Sequence, residues 1–295
     1  MRQLALLLLT AAPLPAQTTS SPARDRVLES VRAASEAVFS SGIVAGLPGH
    51  LSDDAVLVWP GAAVLQGVPA INRFLGAQRS VTGASISWQT LHLELAPDST
   101  LALSWGVAVI DRPASATLPK SHRLARFLAA WRPVNGAWRI SALAFSGLIN
   151  GAETVWGDSL GVREWPLLHS TGAAAKFIAA DSSFAAQAGL EGAQEAFAGW
   201  AAPDAVMFGA TGELAIGRAS INALFEGDDG HWSWGAVAAG ASRDGSLGWT
   251  VGQAVIAGKG PDGKEQLAKS KYLTLWRRQP DGSVRFISDG GNGRP

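Results

Sequence analysis

A stretch of this chain occurs twice. Asp54-Ala55-Val56, Gly67 and Ile71-Asn72 return as Asp204-Ala205-Val206, Gly217 and Ile221-Asn222, each 150 residues later. Ser87-Trp88 and Ala108-Val109-Ile110 return as Ser233-Trp234 and Ala254-Val255-Ile256, 146 residues later. Trp131-Arg132 returns as Trp276-Arg277, 145 residues later. A long unit used twice means two copies of one domain rather than a solenoid, whose units are short and many. This repeat constrains the fold more than any propensity does.

Each copy reads in one order. A first helix spans roughly Asp25 to Val44 in copy one and Ala173 to Trp200 in copy two. A short strand, a short helix and four longer strands follow. Asn135-Gly136, Asp244-Gly245 and Pro280-Asp281-Gly282 supply the positive φ of tight hairpins between those strands. The expected fold class is α+β: two tandem cone-shaped domains, each with helices packed on a curved antiparallel sheet. Residues 24–148 form the first domain, 149–172 a Gly-rich connector and 173–295 the second.

The N-terminus reads differently. Arg2 precedes an apolar run from Leu4 to Leu14, and Leu14-Pro15-Ala16 ends on a small residue. That is the pattern of a secretory signal peptide over residues 1–16, cut near Ala16. The run is shorter than the ~20 residues of a membrane span. The expected location is periplasmic or extracellular. The chain has no Cys, so each core holds without disulfides. Its 24 basic residues balance 24 acidic ones with no basic cluster, which argues against nucleic acid as a partner.

The order of elements resembles the nuclear transport factor 2-like superfamily. Within it, copy two resembles the exported, SnoaL-like branch near the polyketide-cyclase-like and ketosteroid-isomerase-like members. Asp181 to Phe184, Gly217 to Asn222, Lys271 to Arg277 and Phe286 to Gly291 carry the resemblance. It implies a cystatin-like cone and pairing of sheets, here as an intramolecular pseudo-dimer with further self-association open. It leaves the reaction open, because this superfold hosts enzymes, binding proteins and assembly modules.

Motifs for chemistry are sparse. There is no phosphate loop, no nucleophile elbow and no thiolate. The five His lack metal-ligand spacing, and Asp228-Asp229-Gly230-His231 lacks the terminal Glu of a calcium loop, so no metal or other cofactor is expected. Differences between the copies are more informative. Val107 becomes Gln253, Phe127 becomes Tyr272 (the only Tyr), Trp59 becomes Gly209 and Leu143 becomes Asp289. These changes describe a roomier second cone. Its expected ligand-binding residues are Gln253, Tyr272, Trp234, Trp249, Trp276 and Phe208, around a small, largely apolar molecule. Asp181, Tyr272, His231 and Asp289 are candidates for proton transfer of the ketosteroid-isomerase or polyketide-cyclase type. On helix one, Asp181-x-x-Phe184 aligns with Glu36-x-x-Phe39, offset by 145. Asp289, beside Gly290-Gly291, reads as lying in a terminal turn. The competing reading is a scaffold with filled cones.

Overall fold

A computed structural model describes residues 21–148 and 173–293, apart from short segments at 79–80, 82, 117–118, 210–213 and 260–263. The signal peptide expected over residues 1–16 and the connector expected over 149–172 lie outside the described residues.

Copy one begins with α1 (Pro22–Gly46), capped by the Ser21 side chain on the Arg24 N–H and opened by Pro22, whose missing N–H is free at a helix start. The strand β1 (Leu51–Val58), the two-residue β2 (Leu65–Gln66) and the helix α2 (Val68–Ala77) follow. Four long strands complete it: β3 (Ser85–Leu95), β4 (Ala102–Arg112), β5 (Ser121–Val134) and β6 (Ala137–Leu148). Copy two repeats the order with α3 (Ala173–Glu191), α4 (Ala193–Trp200), β7 (Ala201–Phe208), β8 (Leu214–Ile216) and α5 (Gly217–Leu224). It ends with β9 (His231–Ala241), β10 (Leu247–Lys259), β11 (Glu265–Arg278) and β12 (Val284–Gly293). The sheets are ordered β2-β1-β6-β5-β4-β3 and β8-β7-β12-β11-β10-β9. The last four strands of each are an antiparallel meander, as the turn residues predict. Only β1/β6 and β7/β12 pair in parallel.

The helix expected from Ala173 to Trp200 is two helices. Gly192 adopts φ 90°, ψ 163°, and Gly42 breaks α1 with φ 75°, ψ 162°. That region is open in practice to Gly alone, so the same kink is built into both copies by the same residue type.

Strand alternation gives each sheet two buried faces. In copy two, Thr250, Tyr272, Thr274, Trp276 and Asp289 face the helices and form the cone interior. Trp249, Val251, Leu273 and Leu275 face the other way. These outer residues share one buried apolar cluster with Val56, Val58, Leu103, Leu128, Ala130 and Ala144 of copy one. The sheets thus pack face to face as an intramolecular pseudo-dimer. The contact is tied at its edges. The Asn292 amide donates to the carbonyls of Phe145 (2.7 Å) and Val58 (3.3 Å), and Arg277 bonds Glu94 at 2.5 Å. Trp105 meets Phe208 edge to face at 6.0 Å.

Candidate functional site

Asp181 sits on the inner face of α3 and is 1% exposed. Its Oδ2 accepts the Thr250 hydroxyl at 2.7 Å and its Oδ1 accepts the Tyr272 hydroxyl at 2.9 Å. A side-chain hydrogen bond from Trp234 completes the cradle. Behind it, the Trp276 indole donates to Thr250 at 2.8 Å. The ladder explains the convergence. Thr250 lies opposite Thr274, and Thr274 opposite Asp289, so three neighbouring strands present polar groups at one level of the inner face. The Thr274 hydroxyl donates to Asp289 Oδ2 at 2.5 Å. Among the described residues that is the one side-chain partner of Asp289.

Burial sets the electrostatics. Desolvation pushes the Asp181 carboxyl up to about 6 despite its three donors. The same effect, with the negative charge of Asp181 added, pushes Asp289 up to about 7. The Tyr272 hydroxyl is raised well above its usual range, first by burial and then by Asp181. Two carboxyls with ordinary values near 4 are thereby brought to the neutral range side by side.

The twin copy shows what this arrangement replaced. The burial pattern of residues 181–200 repeats that of 31–50 at all but one position, and the Gly42 and Gly192 kinks coincide. The true offset on the first helix is therefore 150, and Val31 stands where Asp181 is. Glu36 is exposed, and so is Phe39 at 58%, so the 145 alignment is overturned. Ala34 stands where Phe184 is. In copy one the Trp131 indole still donates to a hydroxyl, Ser104, at 2.9 Å. Trp88, the counterpart of Trp234, has a buried indole N–H with no partner. The aromatic and hydroxyl frame is common to both cones, and the acids belong to copy two alone.

Space differs as well. In copy one Trp59 meets Phe145 edge to face at 5.1 Å, with Phe145 opposite Phe127 in the ladder. Their counterparts are Gly209 and Gly291, and Gly291 lies opposite Tyr272. Tyr272 is 9% exposed and Asp289 7%, against 1% for Phe127 and 2% for Leu143. The rings are shifted to the helix side instead. Phe184 packs on Phe197 (4.7 Å), Trp234 (4.7 Å) and Phe286 (5.8 Å) there.

The residues expected to bind one ligand divide between two environments. Tyr272, Trp234 and Trp276 lie in the cone. Gln253, Trp249 and Phe208 lie on the outer face of the sheet, towards copy one. The ladder requires this: Gly252, one residue from Gln253, lies under the Tyr272 ring, and Gln253 pairs with Lys271. His231 is exposed at the start of β9. Asp289 is a strand residue rather than part of a terminal turn, because β12 continues to Gly293. Thr250 and Thr274, which hold the two acids, were not singled out from the sequence. The replacement of Ala129 by Thr274 opposite Asp289 was the available signal. Among the described residues no group of three His, Cys, Asp or Glu could hold a metal ion, and no helix is long and apolar enough to cross a membrane.

No family model and no curated protein matches the chain. Solved structures do. The chain is similar to an ntf2-like protein with a cystatin-like fold from Novosphingobium aromaticivorans, at 18% identity over 44% of this chain and 84% of that one, TM-score 0.36. It is similar to a ketosteroid isomerase-like protein from Erwinia carotovora atroseptica, at 16% identity over 42% and 95%, TM-score 0.37. It is similar to a protein with a cystatin-like fold from Caulobacter vibrioides, at 22% identity over 41% and 90%, TM-score 0.35.

Proposed function

We propose that copy two binds a small, largely apolar molecule in its cone and offers it Tyr272 and Asp289 as polar handles. The observation that carries this reading is the exchange of two rings for two glycines beside those handles. Trp59 and Phe145 close the end of the first cone. Gly209 and Gly291 place no ring at the matching positions of the second, and Tyr272 and Asp289 there keep a little accessible surface. Each missing ring would otherwise cover about 150–250 Å². Copy one, filled and without acids, acts as the structural partner. Export with cleavage near Ala16 belongs to the same proposal and rests on Arg2 and the apolar run to Leu14. N-terminal sequencing of the mature protein tests it.

Binding is tested with 2-naphthol, an apolar ring with one hydroxyl, followed by its own fluorescence. Wild-type protein should bind it. Gly209→Trp, which restores the ring of copy one, should abolish binding while keeping the fold. Absence of wild-type binding, or binding unchanged by Gly209→Trp, would sink the reading.

A specific observation favours proton transfer as a second reading. Asp289 has a value near 7 and a single side-chain partner, so one carboxylate oxygen remains for a ligand. Asp181 is held at both oxygens and serves Tyr272 as an acceptor. In this reading Asp289 takes a proton from carbon next to a carbonyl, and the Tyr272 hydroxyl turns its proton from Asp181 to the developing enolate oxygen. Deuterium exchange into cyclohexanone, followed by NMR, should be accelerated by the wild type and not by Asp289→Asn. Equal exchange with both proteins would leave binding alone.

A further inference from the structure

The two halves of the pseudo-dimer are not equivalent at their shared boundary. On one side, Arg277 of β11 uses both ends of its guanidinium. Nη2 bonds Asp204 and Nη1 bonds Glu94 of copy one, each at 2.5 Å. Glu94 also lies 3.3 Å from His92. On the other side, Arg132 and Asp54 of copy one reproduce Arg277 and Asp204, with Nη2 bonded to Asp54 at 2.5 Å. The ladder pairs Glu94 with Leu103 and Gly240 with Trp249, and His92 with Trp105 and Ala238 with Val251. Glu94 and His92 are therefore replaced by Gly240 and Ala238. Among the described residues no acid takes the place of Glu94 over Arg132.

A cleft takes its place. It measures about 170 Å³ and is lined by Arg132, Asp54, Thr100, Ala238, Gly240 and Trp249, with other residues of β1, β2, β6 and β9 and with Leu101 just ahead of β4. That is well beyond the ~10–15 Å³ that a single water needs. Among the described residues Asp54 is the one hydrogen-bonding partner of the Arg132 side chain, and its Nε is buried without any. The Arg132 side chain is 42% exposed, against 25% for Arg277 beneath Glu94. The Trp249 indole leans over Gly240, its Nε1 in the space that a Cβ there would take. That N–H forms no hydrogen bond among the described residues.

We infer that this cleft binds the carboxylate of a small organic acid, with Arg132 taking the role towards it that Arg277 takes towards Glu94. The mirror side supplies the template. It shows a guanidinium already paired with one Asp accepting a second carboxylate from the facing strand. A planar fork suits that recognition better than a point charge does. The indole N–H of Trp249 is placed to donate to the same anion, and its ring and Ala238 give the acid's carbon body an apolar wall. The site is separate from the cone and does not depend on the function proposed there.

The test uses 4-fluorobenzoate, titrated into the full chain and followed by fluorine NMR. Wild-type protein should bind it with a Kd of about 1 mM or tighter, the range open to so small a ligand. The neutral 4-fluorobenzamide should not bind. Arg132→Met should weaken the benzoate by about tenfold or more, the size of a lost charged hydrogen bond. Arg132→Lys, which keeps the charge and a partner for Asp54, should weaken it less and guards against misfolding of the first variant. His92→Ala/Glu94→Gly gives copy one the residues of copy two, and should raise the stoichiometry from one to two by opening the mirror site on Arg277. No wild-type binding, equal binding of the amide, or affinity unchanged in both Arg132 variants would each overturn the assignment.

Discussion

Asp289 is raised chiefly by burial, which disfavours its charged form, and that makes stability depend on pH in a definite direction. Its folded value, about 7, lies above its ordinary 3.8. The folded state therefore holds the proton more tightly than the unfolded one. The associated stability is present at low pH and is lost as pH rises from about 4 through about 7. A shift of that size corresponds to about 4 kcal/mol. Asp289→Asn keeps an acceptor for Thr274 and carries no charge. The variant should gain up to about 4 kcal/mol over wild type at pH 8, with the gain gone by pH 4, as read from urea midpoints at each pH. A constant difference across that range would refute the burial argument. Tyr272→Phe tests the neighbouring bond. Phe127 shows that the ring fits without its hydroxyl, so the expected cost is that of leaving Asp181 Oδ1 short of a donor, about 1–3 kcal/mol. The bond favours the charged acid, lowering its value, so the cost should be larger at pH 8 than at pH 5.

At the scale of elements, the first helix carries both the similarity and the difference between the copies. The kinks at Gly42 and Gly192 re-aim the chain so that the helix covers the sheet and then returns to β1 or β7. Gly192→Ala places a Cβ in a conformation that costs about 1–3 kcal/mol, and chemical denaturation should show that loss without a change of fold. A transplant tests the frame. Val31→Asp puts an acid beside the unpartnered indole of Trp88 and the Ser104 hydroxyl. It should destabilise less at pH 5 than at pH 8, and adding Phe127→Tyr should recover part of the loss at pH 8. If the pair costs as much as the single change, the cone of copy one is not a lapsed version of the site.

The repeat and the turn residues made the order of elements, the meander and the tandem cones legible, whereas the parallel pairing of β1 with β6 and of β7 with β12 was not. The repeat also exposed Tyr272 and Asp289 as polar exceptions. The partition of Gln253, Trp249 and Phe208 away from Tyr272 was implicit in strand alternation. It becomes visible only when adjacent strands are put in register, which fixes that Gly252 rather than Gln253 shares a face with Tyr272. The helix offset was missed because Phe39 and Phe184 invited alignment by type. Burial pairs Phe184 with Ala34, a large ring answering a small residue across copies whose cones are filled from different sides.

For the molecule as a whole, the outer sheet faces decide how it behaves. Leu128, Ala130, Leu273 and Leu275 are at most 1% exposed, and the cluster they belong to is continuous across the two copies. Lys271 is wholly buried on that same outer face, its ammonium on the Gly293 carbonyl at 3.0 Å. Parting the copies would wet this apolar surface at about 25 cal/mol per Å². It would also break the Arg277–Glu94 pair and the bonds of Asn292 to Val58 and Phe145. Neither half therefore has a favourable state in which it unfolds while the other remains. Calorimetric unfolding should give one transition, with van't Hoff and calorimetric enthalpies equal within error. Asn292→Ala, which removes two ties but no apolar surface, should lower that single midpoint without splitting it. Two resolved transitions in the wild type would mean that the sheets touch without coupling, and copy one would then be a neighbour of the site rather than its support.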